Sequence, residues 1–229
     1  MSRVACADPA LAGALGLPHG QADFVLEYID GALHLRDTRP GAPGPICADF
    51  ESRVAENRRK AGRGLLLAKA IGVKPGQQLS VLDATAGLGR DSYALAALHC
   101  SVTAVERSPV VAALLRDALY RSSQDPAVAR ISLLLADARD QMQTARYDVV
   151  YLDPMFPDRR KSAKVKKEMQ YMQELLGPED GSDLLEPALQ AATRRVVVKR
   201  PVHAPRLPSA AQPAHVHKGK SVRFDVYLP

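Results

Sequence analysis

Asp153-Pro154-Met155-Phe156-Pro157 places a carboxylate, a proline corner and an aromatic ring directly after the apolar run Val149 to Leu152. That set suits a reaction at an exocyclic amine. An amine conjugated to a ring resists attack through nitrogen because its lone pair is delocalised. Acceptors that bind both N–H groups favour the tetrahedral arrangement and stabilise the positive charge that develops. The Asp153 side chain and the Pro154 carbonyl are candidate acceptors, on a loop that proline stiffens by fixing φ. Phe156 is a candidate stacking surface for a base lifted out of its helix. The plainer alternative is a strand-to-loop transition with Phe156 in the core.

A second constellation is Val81-Leu82-Asp83-Ala84-Thr85-Ala86-Gly87-Leu88-Gly89-Arg90-Asp91, a strand, a glycine turn and a helix start. Gly87 and Gly89 permit backbone conformations closed to other residues and admit a ligand close to the main chain. Glu106 follows 19 residues after Gly87, near the spacing of about 20 for an acid that binds ribose hydroxyls. A dinucleotide would need a third glycine where Ser92 stands, and Asp83 and Asp91 would oppose its phosphates. S-adenosylmethionine carries a sulfonium and an ammonium and no phosphate, so it suits the acids better than NAD does. Asp137 and Ala138, after a third strand, are candidates to hold an adenine. Their plainer reading is a loop aspartate capping the segment that follows.

Beside the proline corner runs Asp158-Arg159-Arg160-Lys161-Ser162-Ala163-Lys164-Val165-Lys166-Lys167, with six basic side chains in nine residues. Such a run usually forms a solvated helix face. Next to a base pocket, Arg159, Arg160, Lys161, Lys164, Lys166 and Lys167 become candidate phosphate contacts. Lys199 and Arg200, ending a strand on the same edge, are candidates for the same role, and Arg58, Arg59 and Arg63 for an extension of it.

Elements that could position these groups alternate along the chain. Leu79 to Leu82, Val102 to Val105, Ile131 to Leu135, Val149 to Leu152 and Val196 to Val198 read as strands, the third and fourth buried on both faces of a parallel sheet. Helices are expected over Arg53 to Ile71, Arg90 to Leu98, and from Ser108-Pro109 to about Tyr120, the last opened by serine capping and proline at its first position. Asp183 is expected to cap a helix containing Leu184, Leu185 and Leu189. Val216 to His217 and Val222 to Tyr227 suit a terminal antiparallel pair. This alternation predicts an α/β fold with a doubly wound, mostly parallel sheet and its ligand at the carboxyl ends of the strands. Phe24 to Tyr28 and Leu33 to Leu35 flank Asp30-Gly31, a strong hairpin signal. With the Pro/Gly loop Arg39 to Pro45, they define an N-terminal appendage, residues 1–50, ahead of a main domain, 51–229.

Composition agrees with a globular chain: 229 residues, 46% hydrophobic and 24% charged, with a formal net charge of +6. A disordered or collagenous chain is excluded, and the basic surplus is compatible with nucleic acid. No apolar run approaches the roughly 18 residues that cross a bilayer. Leu11 to Leu17 is too interrupted on its approach for a signal peptide, and a short helix or a disordered lead-in is expected there. Cys6, Cys47 and Cys100 are odd in number and form no C-x-x-C pair. They point to a reducing, cytoplasmic setting with neither a disulfide framework nor a metal cluster.

Asp83 to Asp91, Glu106 to Leu115, Val150 to Pro157, Lys161 to Met169 and Val196 to Pro201 together resemble the ribosomal RNA small subunit methyltransferase J family, from about residue 48 to the chain's end. The resemblance implies a class I methyltransferase (Rossmann-like) fold. It also implies methyl transfer from S-adenosylmethionine to the N2 amine of one guanosine in 16S rRNA, free or in the small ribosomal subunit. Carried over by position, the cofactor contacts are Arg90, Asp91, Glu106, Arg107, Asp137, Ala138 and Asp153. The rivals are an amine methyltransferase acting on another nucleic acid or on protein, an RNA-binding module with a vestigial cofactor pocket, and a NAD-binding Rossmann oxidoreductase.

Overall fold

The computed structural model describes residues 3–50, 66–154, 174–175, 181 and 183–229. Near the N-terminus lie β1 (Val4–Cys6), α1 (Pro9–Leu15), β2 (Phe24–Ile29) and β3 (Ala32–Asp37). The Asp8 carboxylate accepts from the Leu11 N–H at 2.7 Å, Pro9 follows it, and left-handed Gly16 ends the helix. Residues 11–17 are therefore largely helical. Asp30 and Gly31 both take positive φ, 50° and 78°, the geometry a two-residue hairpin loop requires. They let β2 pair antiparallel with β3, while β1 adds in parallel to β2.

Described residues from 66 onward build the main sheet. In order come α2 (Leu66–Ile71), β4 (Ser80–Asp83), α3 (Arg90–Ala97), β5 (Ser101–Glu106), α4 (Pro109–Arg121), β6 (Ile131–Leu135), α5 (Ala138–Thr144) and β7 (Tyr147–Leu152). They are followed by α6 (Leu185–Ala191), β8 (Ala192–Pro201), β9 (His215–Lys218) and β10 (Val222–Tyr227). The strand order is β6-β5-β4-β7-β8-β10-β9. The strands from β6 to β8 are all parallel, and β10 enters antiparallel between β8 and β9. From β4 the chain winds first toward β6 and then, through β7, toward β8. The switch point, where such folds bind ligands, lies between β4 and β7.

Alternation along the strands divides the core. Val81, Val149, Tyr151 and Val197 face a cluster with Leu67 of α2, Leu95 of α3 and Leu114 of α4. Leu82, Val150, Leu152 and Val198 face Met142 of α5 and Leu185 of α6. The three-stranded sheet joins the first cluster. The Leu33 N–H donates to the Asp117 carboxylate on α4 at 3.0 Å, and the Arg121 guanidinium reaches the Ala48 carbonyl at 2.6 Å. Phe50 stacks on Tyr93 of α3 with ring centroids 5.0 Å apart.

Two expectations change, and a third is tested only in part. β6 is the outer strand of the sheet and is not fully buried: Leu133 and Leu134 pack against opposite core clusters, but Leu135 is 48% exposed. Asp183 does not cap α6, which follows Leu184 without a side-chain cap. It pairs instead with Arg139 at 2.8 Å. Of the helix expected over Arg53 to Ile71, only Leu66–Ile71 lies among the described residues.

Candidate active site

β4, β7 and β8 end side by side, and their last residues carry the polar chemistry. Asp83 closes β4, and in the sheet it lies opposite Tyr151 on β7. The chain leaves β7 through Asp153 and Pro154, whose geometry is fixed locally. The Asp153 N–H donates to the Thr85 hydroxyl at 2.7 Å, tying the corner to the loop after β4. The Pro154 ring is buried directly against Gly181, where positive φ and the absence of a Cβ permit the approach.

Lys199 on β8 projects from the face shared with α3. Its ammonium donates to the Asp91 carboxylate at 2.6 Å and to the Asp153 carboxylate at 2.7 Å. The Tyr151 hydroxyl donates to the same Asp91 oxygen at 2.7 Å. Lys199 was expected to hold RNA phosphates. With a side chain 18% exposed and two carboxylates already on its ammonium, it is an internal bridge. Arg200 fails that expectation more simply. It is 2% exposed and donates to the Pro205 carbonyl, so it lies beyond reach of a phosphate.

The electrostatics follow from burial. Asp83 is 1% exposed and accepts from the Ser92 hydroxyl at 2.5 Å and the Thr85 N–H at 3.3 Å. Desolvation pushes its carboxyl up to about 7, with Asp91 adding to the rise. It braces the glycine loop from behind rather than lining the crevice. Desolvation also raises Asp153. The Lys199 charge opposes that rise and the Asp91 charge adds to it. Burial works against the charge of Lys199, but the two carboxylates prevail and hold its ammonium above the ordinary lysine range. The Tyr151 phenol is raised by burial and then by Asp91, so it stays a donor.

The two loop glycines do different work. Both take positive φ, 55° at Gly87 and 75° at Gly89. A Cβ on Gly89 would overlap the Leu115 side chain and press on the Phe50 ring, so this glycine serves packing between loop and helix. A Cβ on Gly87 would meet nothing nearer than the Thr85 carbonyl at 4.0 Å, so this face is open. Glu106 underpins it: its carboxylate accepts from the Gly87 N–H at 3.1 Å and the Ser108 N–H at 2.8 Å. Burial raises Glu106, and these two N–H groups offset part of the rise.

The remaining expected contacts sit around the rim. Arg90 and Arg107 are exposed at the start of α3 and just after β5. Asp137 caps α5 by accepting from the Arg139 N–H at 2.8 Å and pairs with the Arg139 guanidinium, which holds its carboxyl at about 2. This is the plainer role foreseen for it. Ala138 is buried at the helix start. Phe156, Arg159, Arg160, Lys161, Lys164, Lys166 and Lys167 lie outside the described residues, as do Arg58, Arg59 and Arg63.

Sequence reasoning missed the roles of Lys199, Tyr151, Ser92 and Thr85. One signal was present for two of them. A lysine that follows three valines, and a tyrosine inside a buried strand, each need a polar partner within the fold.

Among the described residues, an open glycine face beside acids that outnumber their one bridging cation suits a ligand with two positive groups and no phosphate. S-adenosylmethionine fits that donor set, whereas a dinucleotide would bring its pyrophosphate against Asp91 and Asp153.

The comparisons agree. The family model described as "Putative SAM-dependent methyltransferase" matches residues 10–229. A ribosomal RNA small subunit methyltransferase J from Dechloromonas aromatica is 48% identical, over 95% of this chain and 93% of the relative. One from Pseudomonas paraeruginosa is also 48% identical, over 93% of this chain and 86% of the relative. The crystal structure of a SAM-dependent methyltransferase from Neisseria gonorrhoeae superposes with a TM-score of 0.75 at 36% identity, covering all of this chain and 96% of its own. The fold is the class I methyltransferase fold and the cofactor is S-adenosylmethionine, which removes the NAD-dependent alternative. The chain belongs to the ribosomal RNA small subunit methyltransferase J family.

Proposed function

We propose that this enzyme methylates the exocyclic N2 amine of a guanosine in 16S rRNA, in the cytoplasm, on free rRNA or on the small subunit. The observation that carries the reading is the Asp153–Pro154 corner, pinned to the cofactor loop through Thr85 and Lys199. S-adenosylmethionine, when bound, supplies a methyl group on a sulfonium. The chain's own part is to present the amine to it. Asp153 and the Pro154 carbonyl accept the two N–H groups, which frees the nitrogen lone pair for in-line attack. With the cofactor bound, forming the N–C bond would break its C–S bond and leave a neutral thioether as the leaving group. The proton shed by nitrogen passes to Asp153 or to water.

Positioning and desolvation carry the rate in this scheme. No covalent enzyme intermediate and no metal is needed. Phe156 is assigned to stack on the lifted base, and the run from Arg159 to Lys167 to hold flanking phosphates.

The test is methyl transfer by Asp153→Ala to 16S rRNA from cells lacking the gene. Loss of one preorganised acceptor predicts a fall in kcat of about 100- to 1000-fold at saturating S-adenosylmethionine. Unchanged turnover overturns the assignment. Mass mapping of rRNA from cells with and without the gene should show one N2-methylguanosine disappear. A modification confined to another nucleic acid or to protein moves the substrate there.

A further inference from the structure

Lys199 joins two parts of the site that arrive from different elements. Its ammonium touches Asp91, the second residue of the helix that follows the glycine loop, and Asp153, the proposed amine acceptor. We propose that Lys199 is a positioning residue for methyl transfer, whose ammonium clamps the cofactor-loop helix to the acceptor corner and holds the Asp153 carboxylate in its acceptor orientation. This rests on the reading that Asp153 receives the amine.

Geometry and charge both favour the role. Asp153 has two anchors: its N–H on the Thr85 hydroxyl at 2.7 Å and its carboxylate on Lys199 at 2.7 Å. The first fixes the backbone, and the second holds the side chain, which is 37% exposed and also meets the Asp91 carboxylate. Among the described residues, the titratable groups around the pair are Asp83 on β4, Asp91 on α3 and Tyr151 on β7. On β10 the residue paired with Lys199 is Phe224, which brings no charge. Among these groups Lys199 is the only cation. Without it, two neighbouring carboxylates would repel and Asp153 would take up a proton more readily. A protonated Asp153 would offer a donor to the amine in place of one acceptor. Lys199 itself, kept protonated by its two partners, cannot serve as the base.

The experiment compares the pH profile of kcat for wild type, Lys199→Met, Lys199→Arg, Asp91→Asn and Asp153→Asn, with thermal melting and S-adenosylmethionine affinity beside it. Methionine keeps the length of the stem and removes the charge. Lys199→Met is expected to lower kcat at least tenfold near neutrality. Its acid limb should move up by about one to three pH units, the range an adjacent opposite charge commands, so raising the pH recovers turnover. Lys199→Arg should keep the limb near that of wild type. Asp91→Asn removes the repelling neighbour and should move the limb to lower pH, a readout that stands even if Lys199→Met does not fold.

A folded Lys199→Met with the wild-type limb, or an Asp91→Asn limb that stays in place, overturns the positioning role. If Asp153→Asn retains full turnover, the failure lies instead in the reading of Asp153 as acceptor.

Discussion

Asp83 shows how one buried side chain makes stability depend on pH. Desolvation raises its carboxyl to about 7, so the folded protein holds a proton that the unfolded chain releases near pH 4. The resulting stability is complete below pH 4 and fades as pH rises through 7. By linkage, the difference between pH 4 and pH 8 from this group has a ceiling of about 4 kcal/mol, set by a rise from 3.8 to about 7. Asp83→Asn mimics the protonated form and keeps an acceptor for Ser92. Urea unfolding should therefore show it more stable than wild type at pH 8 and nearly equal at pH 4. A variant less stable than wild type at pH 8 would show that the Ser92 hydrogen bond needs the charge. Arg200 makes a different point at the same scale: its position in sequence suggested the surface, and the carbonyl of Pro205 claimed it for the interior.

At the scale of elements, the loop between β4 and α3 offers a paired prediction. Gly89→Ala introduces a Cβ into space held by Leu115 and Phe50, at a φ of 75° that alanine disfavours. It should cost about 1–3 kcal/mol of stability, as overpacking does. Gly87→Ala meets open space at a φ of 55° and should cost about 1 kcal/mol. Its new methyl group lies on the face proposed for the cofactor, so calorimetric titration should show S-adenosylmethionine affinity down at least tenfold. Equal affinity in Gly87→Ala and wild type would place the cofactor elsewhere on the loop. The neighbouring helix α4 takes its start from Ser108 and Pro109, and Ser108→Ala should cost about 1 kcal/mol because the capping hydroxyl is gone.

For the whole molecule, the net charge of +6 coexists with a site rich in carboxylates. The acids gather at the switch point, where they suit a cationic cofactor, so any attraction to RNA must come from the surrounding surface. Replacing Lys161, Lys164, Lys166 and Lys167 by glutamine should weaken rRNA binding and flatten its salt dependence. The slope of log K against log salt should fall by about 0.7–0.9 for each phosphate the variant no longer neutralises, with S-adenosylmethionine affinity unchanged. Arg200→Gln should lower stability and leave that slope alone, because a buried arginine releases no counterion. An unaltered slope in the lysine variant would remove the basic run from the RNA surface.

The sequence by itself determined the local parts. Alternating apolar runs and glycine punctuation marked β4, β5, β7 and β8, and Ser108-Pro109 and Asp30-Gly31 marked a helix start and a hairpin, because the physics of strands, caps and tight turns is short-range. It also singled out the glycine loop and the Asp153–Pro154 corner as candidates for chemistry. Only the tertiary structure decided which strand stands at the sheet's edge and which partner each charge finds. Ile131–Leu135 has the apolar character of a covered strand and ends on the outside. Lys199 lies 108 residues from Asp91 and 46 from Asp153, and meets both. Burial and ion pairing are long-range outcomes of how strands are ordered, and the order β6-β5-β4-β7-β8 is what brings a lysine, two aspartates and a tyrosine to one point.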